Sequence, residues 1–281
     1  MIAVPRARNL LILPSWTAFF LIFVAPLGYF FVLSFWRVSA FKLAPDATLD
    51  NYRQSLIEYS DSIIFTFLIA LAVALVVTVF AFCFAAYIRF VAGRYGDALL
   101  FVTLVTLFGG YLTKIYIWKT ILGQTGVLNS AILTLGIAEE PITAFLYNPG
   151  AVIVTLTHYT LPLAILPLYG ALRNVTDTPL YAARDLGASR RRVFWDIVLP
   201  QCRIGILFAF ALTYLFAAGD YVTPQLVGGP YTSMIGVLIQ LQFGFRFNAP
   251  LGSALAFTMI AIAILMIGLV ALLLFRGLRA R

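Results

Sequence analysis

Charge is scarce in this chain. Only 11% of its 281 residues are Asp, Glu, Lys or Arg, and 62% are hydrophobic, against about 25% charged in soluble domains. With a mean hydropathy of +0.99, such a polypeptide does not fold as a water-soluble globule, and its length leaves no room for a sizeable extra domain. Histidine is rarer still: His158 stands alone, between Thr157 and Tyr159 in an apolar run. With no other ligand near it in sequence, it reads as a packing or hydrogen-bonding residue rather than a metal ligand. The two cysteines, Cys83 and Cys202, lie far apart and in or beside apolar segments, which points to neither a disulfide framework nor a metal site. The chain has no Gly-x-x-x-x-Gly-Lys-Ser/Thr loop, so it does not cradle nucleotide phosphates itself. Gly-x-Ser-x-Gly and His-Glu-x-x-His are missing as well, which argues against an intramembrane enzyme.

What is present is a series of long apolar runs. About 20 apolar residues suffice to cross a bilayer as a helix, and six runs qualify: Leu10 to Trp36, Ile63 to Ile88, Ala98 to Ile121, Ala151 to Leu172, Ile204 to Leu226 and Leu251 to Phe275. The first follows a short basic start (Arg6, Arg8), as a secretory signal would. It is longer than a signal core and shows no small-x-small cleavage site, so it reads as an uncleaved membrane helix. Arg37 to Asp61 reads as a loop with a surface helix around Leu49 to Tyr59. Gly123 to Pro149 reads as a polar, turn-rich loop, and the apolar piece Met234 to Phe243 is too short to span comfortably. No internal repeat or linker marks a second domain. The expectation is an all-α membrane protein of six transmembrane helices, a single transmembrane domain over residues 1–281.

Six spans place both ends on one side of the membrane. With the N-terminus inside, thirteen of the nineteen Lys/Arg fall on inner segments; Arg37, Lys42, Arg53, Lys114, Lys119 and Arg246 fall on outer segments or outer helix ends. That bias predicts cytoplasmic termini. The net charge of +8 is then orientation charge rather than a nucleic-acid footprint. Lys114 and Lys119 are expected to snorkel to the outer surface.

The long polar interruption in the second half, residues 173–203, is cytoplasmic in this topology and holds six Lys/Arg (Arg173, Arg184, Arg190, Arg191, Arg192, Arg203). Its punctuation predicts two short helices. Pro179 suits a first helical position behind Thr178 or Asp177, Gly187 is a C-terminal stop, and Ser189 caps a second helix that runs to Leu199 and is halted by Pro200.

Ala182-Ala183, then Gly187, then Ile197-Val198-Leu199-Pro200 resembles the cytoplasmic loop of permease subunits of bacterial ATP-binding-cassette (ABC) importers. The family pattern is Glu-Ala-Ala, three residues, Gly, nine residues, Ile, one residue, Leu-Pro; here Tyr181 stands where the Glu is usual. The resemblance implies the type I importer permease fold, and it makes Tyr181, Ala182, Ala183, Asp185, Leu186, Gly187, Ala188 and Phe194 the coupling element docked on a separate ATPase subunit. Residue chemistry agrees: small residues admit another backbone, Leu186, Phe194 and Trp195 supply apolar anchors, and the arginines a polar rim. Lys114-Ile-Tyr116-Ile-Trp118 with Leu122-Gly123, Gly126 and Asn129 is similar to polyamine (spermidine/putrescine) importer permeases. So is Asp220-Tyr221-Val222-Thr223-Pro224 with Leu226-Val227-Gly228-Gly229-Pro230.

What the resemblance implies is a non-catalytic subunit in a bacterial cytoplasmic (inner) membrane, with no cofactor of its own. ATP and Mg would sit on a partner ATPase dimer, beside a second, related permease and an external solute-binding protein. The expected outer side carries seven of the eleven acidic residues (Asp46, Asp50, Glu58, Asp61, Glu139, Glu140, Asp220), which suits a dication. The rival reading is a secondary transporter or channel working without an ATPase; the loop motif stands against it.

Polar groups inside a membrane face the bundle interior or a water-filled path. Asp220 follows sixteen apolar or small residues, Ile204 to Gly219, and Gly219, Thr223, Pro224 and Gly228-Gly229-Pro230 are expected to break the helix there. Two readings stand for Asp220: a path residue together with Tyr221 and Thr223, or an outer-end cap exposed to water. Pro162 and Pro167 are expected to kink the fourth span and free carbonyls beside Thr155, Thr157, Tyr159 and Thr160. For these too, a path lining and plain helix packing both remain open.

Overall fold

A computed structural model describes residues 13–39, 42–230 and 232–278. Arg6, Arg8, Arg279 and Arg281, and the start of the first apolar run at Leu10, lie outside the described residues. In chain order the elements are α1 (Leu13–Leu33), β1 (Arg37–Ser39), β2 (Lys42–Ala44), α2 (Asp50–Glu58), α3 (Ser60–Phe90), α4 (Gly96–Leu107), α5 (Tyr111–Leu122) and α6 (Val127–Thr134). They continue with α7 (Pro149–Arg173), α8 (Asp177–Asp185), α9 (Arg190–Gln201), α10 (Arg203–Gly219), α11 (Ile235–Gly244) and α12 (Ala249–Gly277). By length and apolarity α1, α3, α7 and α12 can each cross a membrane, and the count rises to six if each of two bent pairs forms one span.

Two compact units are present, residues 1–60 with 238–260, and residues 61–237 with 261–281. In the first, Pro26 cannot donate to a carbonyl one turn back. The helix answers with a widened turn over Phe20–Val24, where the Ala25 N–H reaches the Phe20 carbonyl, and then continues. Within α1 only Leu33 is buried, so nearly its whole apolar surface is outward. Where a loop was expected, β1 and β2 pair antiparallel with Val38 opposite Leu43. Arg37 ties the hairpin down through Asp50 (2.5 Å) and Asp46 (3.3 Å). The expected surface helix is α2. Its Asn51 donates to the carbonyls of Ser34 and Trp36, both at 2.8 Å, which satisfies groups left bare at the end of α1. Phe31 meets Phe257 edge-on at 5.0 Å, and Gln242 donates to the Tyr59 hydroxyl at 3.0 Å.

In the second unit α3 supplies the centre of the core, with Val73, Ala74, Val77, Ala81 and Ala85 fully buried. Helices α7 and α10 pack along each other. Gly205 permits their close approach: a Cβ there would stand 2.5 Å from the Ala171 Cβ and 2.9 Å from the Pro167 carbonyl oxygen. Despite Pro162 and Pro167, α7 remains one continuous helix, so the expected kink does not break it. Asn148 caps its start by accepting from the Ala151 N–H at 3.0 Å.

The third span differs most from expectation. Residues 98–121 are not one helix; α4 stops at Leu107, and the chain turns by 95° into α5 and α6. Gly109 and Gly110 make the break. Gly110 is extended (φ −52°, ψ 133°), and a Cβ on Gly109 would crowd Lys114 Cε at 3.1 Å. The following loop is likewise not purely turns, since α6 lies in it. Asn129 at its start is fully buried, donates to the carbonyls of Gly123 and Ile142 (3.1 Å each) and accepts the Ile142 N–H at 2.8 Å.

Gly205→Val is expected to cost about 1–3 kcal/mol of stability through overpacking, read as a lower thermal unfolding midpoint of the purified protein in detergent. Adding Ala171→Gly should recover part of the loss but not all, because the Pro167 carbonyl cannot be trimmed.

Candidate functional site: an exposed loop and a buried carboxylate

Helix α8 starts at Asp177, with Thr176 in the cap position and no side-chain cap bond. Pro179 is therefore the third helical residue, not the first, but still inside the turn whose N–H groups lack helical acceptors. The helix ends as Gly187 requires. Its φ is +81°, its N–H bonds the Arg184 carbonyl and the Ala188 N–H bonds the Ala183 carbonyl, both at 2.9 Å; this is the glycine-terminated helix end. Ser189 accepts the Arg192 N–H at 3.3 Å and caps α9. Pro200 does not halt α9. The turn Phe194–Val198 widens so that the Leu199 N–H reaches the Phe194 carbonyl, which makes room for the proline ring. The helix runs on to Gln201, and the chain then bends by 66° into α10.

The loop has two faces. Leu180, Val193 and Val198 are buried, whereas Leu186 is 89% exposed and Tyr181 61%. Ala182, Asp185 and Gly187 are exposed; Ala183 and Ala188 are half-buried. Phe194 is half-buried and meets Phe82 of α3 edge-on at 5.9 Å, so it helps anchor the loop. Arg89, in the last turn of α3, bonds Asp177 at 2.9 Å and the Val175 carbonyl at 3.4 Å. The exposed surface thus presents Leu186 beside a glycine and alanines, with Tyr181 and Trp195 also exposed and Arg184, Arg190, Arg191 and Arg192 around them.

The second cluster forms where α10 ends. As expected, the helix breaks at Asp220, which is extended (φ −75°, ψ 130°). Asp220 is only 5% exposed, so it is not a water-exposed cap. Its Oδ1 accepts from the Tyr111 hydroxyl and from the N–H groups of Val222 (2.9 Å) and Thr223 (3.3 Å). Oδ2 is buried without a hydrogen-bond partner. Tyr111 is the first residue of α5, placed there by the Gly109-Gly110 break. Its ring meets Tyr159 at 4.8 Å and Phe216 at 6.2 Å, and Tyr159 meets Phe216 at 4.9 Å.

Lys114 does not snorkel outward. It is buried, donates to the Thr106 carbonyl at 2.5 Å and lies 5.1 Å from the Tyr159 ring centre. The reason is local. Thr106 sits in the last turn of α4, where its carbonyl meets the Gly109 N–H at 3.3 Å and a cation is favoured. Of the path residues expected from sequence, Asp220, Thr223 and Tyr159 come together through Tyr111. Tyr221 is 42% exposed beside them. Pro162 lines a separate small cavity with Lys114 and His158, and Thr157 has a buried hydroxyl with no partner. Tyr111 and Phe216 escaped the sequence reading; the Gly-Gly pair ahead of Tyr111 was the one available signal.

Residues 98–281 match the family model described as "binding-protein-dependent transport system inner membrane component". The chain belongs to this family. It is 33% identical over 221 residues to the spermidine/putrescine transport system permease protein PotB of Escherichia coli K12, covering 78% of this chain and 80% of that one. Among solved structures, a bacterial ABC transporter involved in the import of the acidic polysaccharide alginate superposes with a TM-score of 0.67 at 16% identity, over 96% of this chain and 95% of that one. The same kind of transporter in complex with an alginate pentasaccharide-bound periplasmic protein gives a TM-score of 0.64 at 14% identity, over 96% and 94%. The chain is an inner-membrane permease subunit of an ABC importer, with that fold.

Gly187→Val should strain the loop by about 1–2 kcal/mol, because a β-carbon is disfavoured at positive φ. The expected readout is a roughly 5- to 30-fold faster tryptic cleavage at Arg184 and Arg190 to Arg192, the population ratio that such a change implies. Gly187→Asn, which tolerates this conformation better, should move it less.

Proposed function

We propose that this permease carries a small organic cation, a polyamine such as putrescine or spermidine, inward across the membrane at the expense of ATP hydrolysed on a separate subunit. Residues 1–281 act as one transmembrane domain. The six spans are α1, α3, the α4–α5 pair, α7, the bent pair ending in α10, and α12, with both termini cytoplasmic; the thirteen-to-six Lys/Arg bias supports that orientation. The observation that carries the ATP-driven reading is Leu186, a large apolar side chain 89% exposed beside Gly187 on an arginine-rimmed loop. An exposed apolar anchor flanked by small residues is what a groove on another protein would accept.

The partners are a dimer of ATP-binding subunits holding ATP and Mg, a second and related permease, and an external solute-binding protein. The alginate transporter's complex with a periplasmic protein supports the last, and the outward apolar surface of α1 supports a lipid or protein neighbour in the membrane. Tyr181, Ala182, Ala183, Asp185, Leu186, Gly187 and Ala188 form the coupling surface, with Phe194 holding it to α3. Closure of the ATPase pair moves the loop, the permease pair opens outward, and hydrolysis resets it, as in alternating access between two discrete arrangements. Asp220, Tyr221, Thr223, Tyr159, Thr157 and Pro162 belong to the translocation path. Similarity to PotB, whose name assigns it to spermidine and putrescine transport, supports the substrate class.

Uptake of labelled putrescine and spermidine by cells expressing the whole complex should be saturable, and Leu186→Glu should reduce it by at least tenfold with normal membrane insertion. Unchanged uptake in Leu186→Glu would overturn the coupling role. Uptake that survives ATP depletion but fails with a collapsed ion gradient would favour a secondary transporter.

A further inference from the structure

Asp220 lacks a positive partner. No Lys, Arg or His side chain forms an ion pair with it among the described residues. Lys114, the basic side chain in the same cluster, is committed to the Thr106 carbonyl and the face of Tyr159. A buried carboxylate oxygen with neither a hydrogen bond nor a counter-charge is costly, and Oδ2 is such an atom. The chain is not short of cations that could have met it, with nineteen Lys/Arg in all.

Asp220 lines a cavity of about 520 Å³ together with Tyr111, Phe216 and Tyr221. The ring of Tyr111 stands at 78° to that of Phe216, so the two present differently oriented surfaces beside the carboxylate. Aromatic faces attract cations, more so when water is excluded. A metal ion is a poor match, because no group of three or more Asp, Glu, His or Cys able to hold one occurs among the described residues. One carboxylate oxygen beside rings and aliphatic walls suits a monovalent nitrogen cation carried on an alkyl chain.

We propose that the Asp220 cavity is a binding subsite for an alkylammonium group of the transported solute, in which the Asp220 carboxylate, turning its unpartnered oxygen toward the cavity, accepts an ammonium N–H while Tyr111 and Phe216 flank the adjoining methylenes. The assignment rests on the cation-import reading above and adds to it the chemistry of recognition within the permease. Only one charge is met here, so a diamine's second ammonium group must find its partner elsewhere along the path.

The test uses the whole complex purified in detergent without the solute-binding protein, with calorimetric titration of putrescine and, separately, of n-butylammonium. The same complexes are assayed for putrescine uptake in proteoliposomes with the binding protein present. Asp220→Asn keeps the size of the side chain and its Oδ1 acceptor but removes the charge. At least a tenfold loss of binding for both amines, with a matching loss of uptake, is expected. Phe216→Leu, which keeps the carboxylate, should weaken binding by about threefold to tenfold and carries the test if Asp220→Asn inserts poorly. Wild-type binding and uptake unchanged by both substitutions would overturn the subsite and leave polyamine import standing. Asp220-dependent n-butylammonium binding with no polyamine uptake would sustain the subsite and overturn the substrate reading. No amine binding by the wild-type complex would overturn the subsite outright.

Discussion

An apolar medium offers no water to a bare amide or carbonyl, so every interruption of a membrane helix has to be repaired from within the protein. The polar residues of this permease follow from that constraint. Where α4 stops, Lys114 reaches back to the Thr106 carbonyl. Where α10 stops, Asp220 takes the N–H groups of Val222 and Thr223. Where the chain leaves α5, buried Asn129 bridges two loop segments with three hydrogen bonds. At Pro26 the repair is made by the backbone alone, through a widened turn that passes the missing donor, and Pro200 in the loop is passed in the same way.

The same repairs create the features read as functional. Breaking the third span at Gly109-Gly110 turns Tyr111 into a helix-start residue that can meet Asp220 from another helix, and it brings Lys114 beneath Tyr159. Ending α10 at Gly219 leaves Asp220 with one oxygen satisfied by backbone and tyrosine and the other buried without a partner. Polar chemistry inside this unit is thus concentrated where regular helix ends, the arrangement by which transport proteins place binding groups at membrane depth.

Much of this was legible in the sequence because length and apolarity alone mark a membrane helix. The second, fourth and sixth runs became α3, α7 and α12 within a few residues at each end. The loop was readable because Gly187 and Ser189 act locally, through a positive φ and a side-chain cap. Proline was the least reliable guide. Pro162 and Pro167 sit in a continuous helix, Pro200 is passed by a widened turn, and Pro179 lies two residues deeper than expected. Each of these depends on how neighbouring turns relax, which the residue's own chemistry does not specify. The break in the third span was hidden because residues on both sides are equally apolar, and Lys114 was misplaced for the same reason: an outward route and an inward carbonyl are equally open to its long stem. Of the buried cluster, Asp220 announced itself by charge. Tyr111 and Phe216 did not, because aromatic residues are common throughout such a chain.

The tight contact at Gly205 gives the second unit a mechanical property. Because Gly205 has no side chain, α7 and α10 pack with no room for a β-carbon between them. The exposed loop connects the near ends of these two helices, and Asp220 is fixed to the far end of one of them. A helix of 17 residues is about 25 Å long, so a tilt of about 5° at the loop displaces that far end by about 2 Å. Such a displacement rivals the span of a hydrogen bond, so the distance from the loop to Asp220 is one over which a small tilt of α10 is large on the scale of the carboxylate's own contacts.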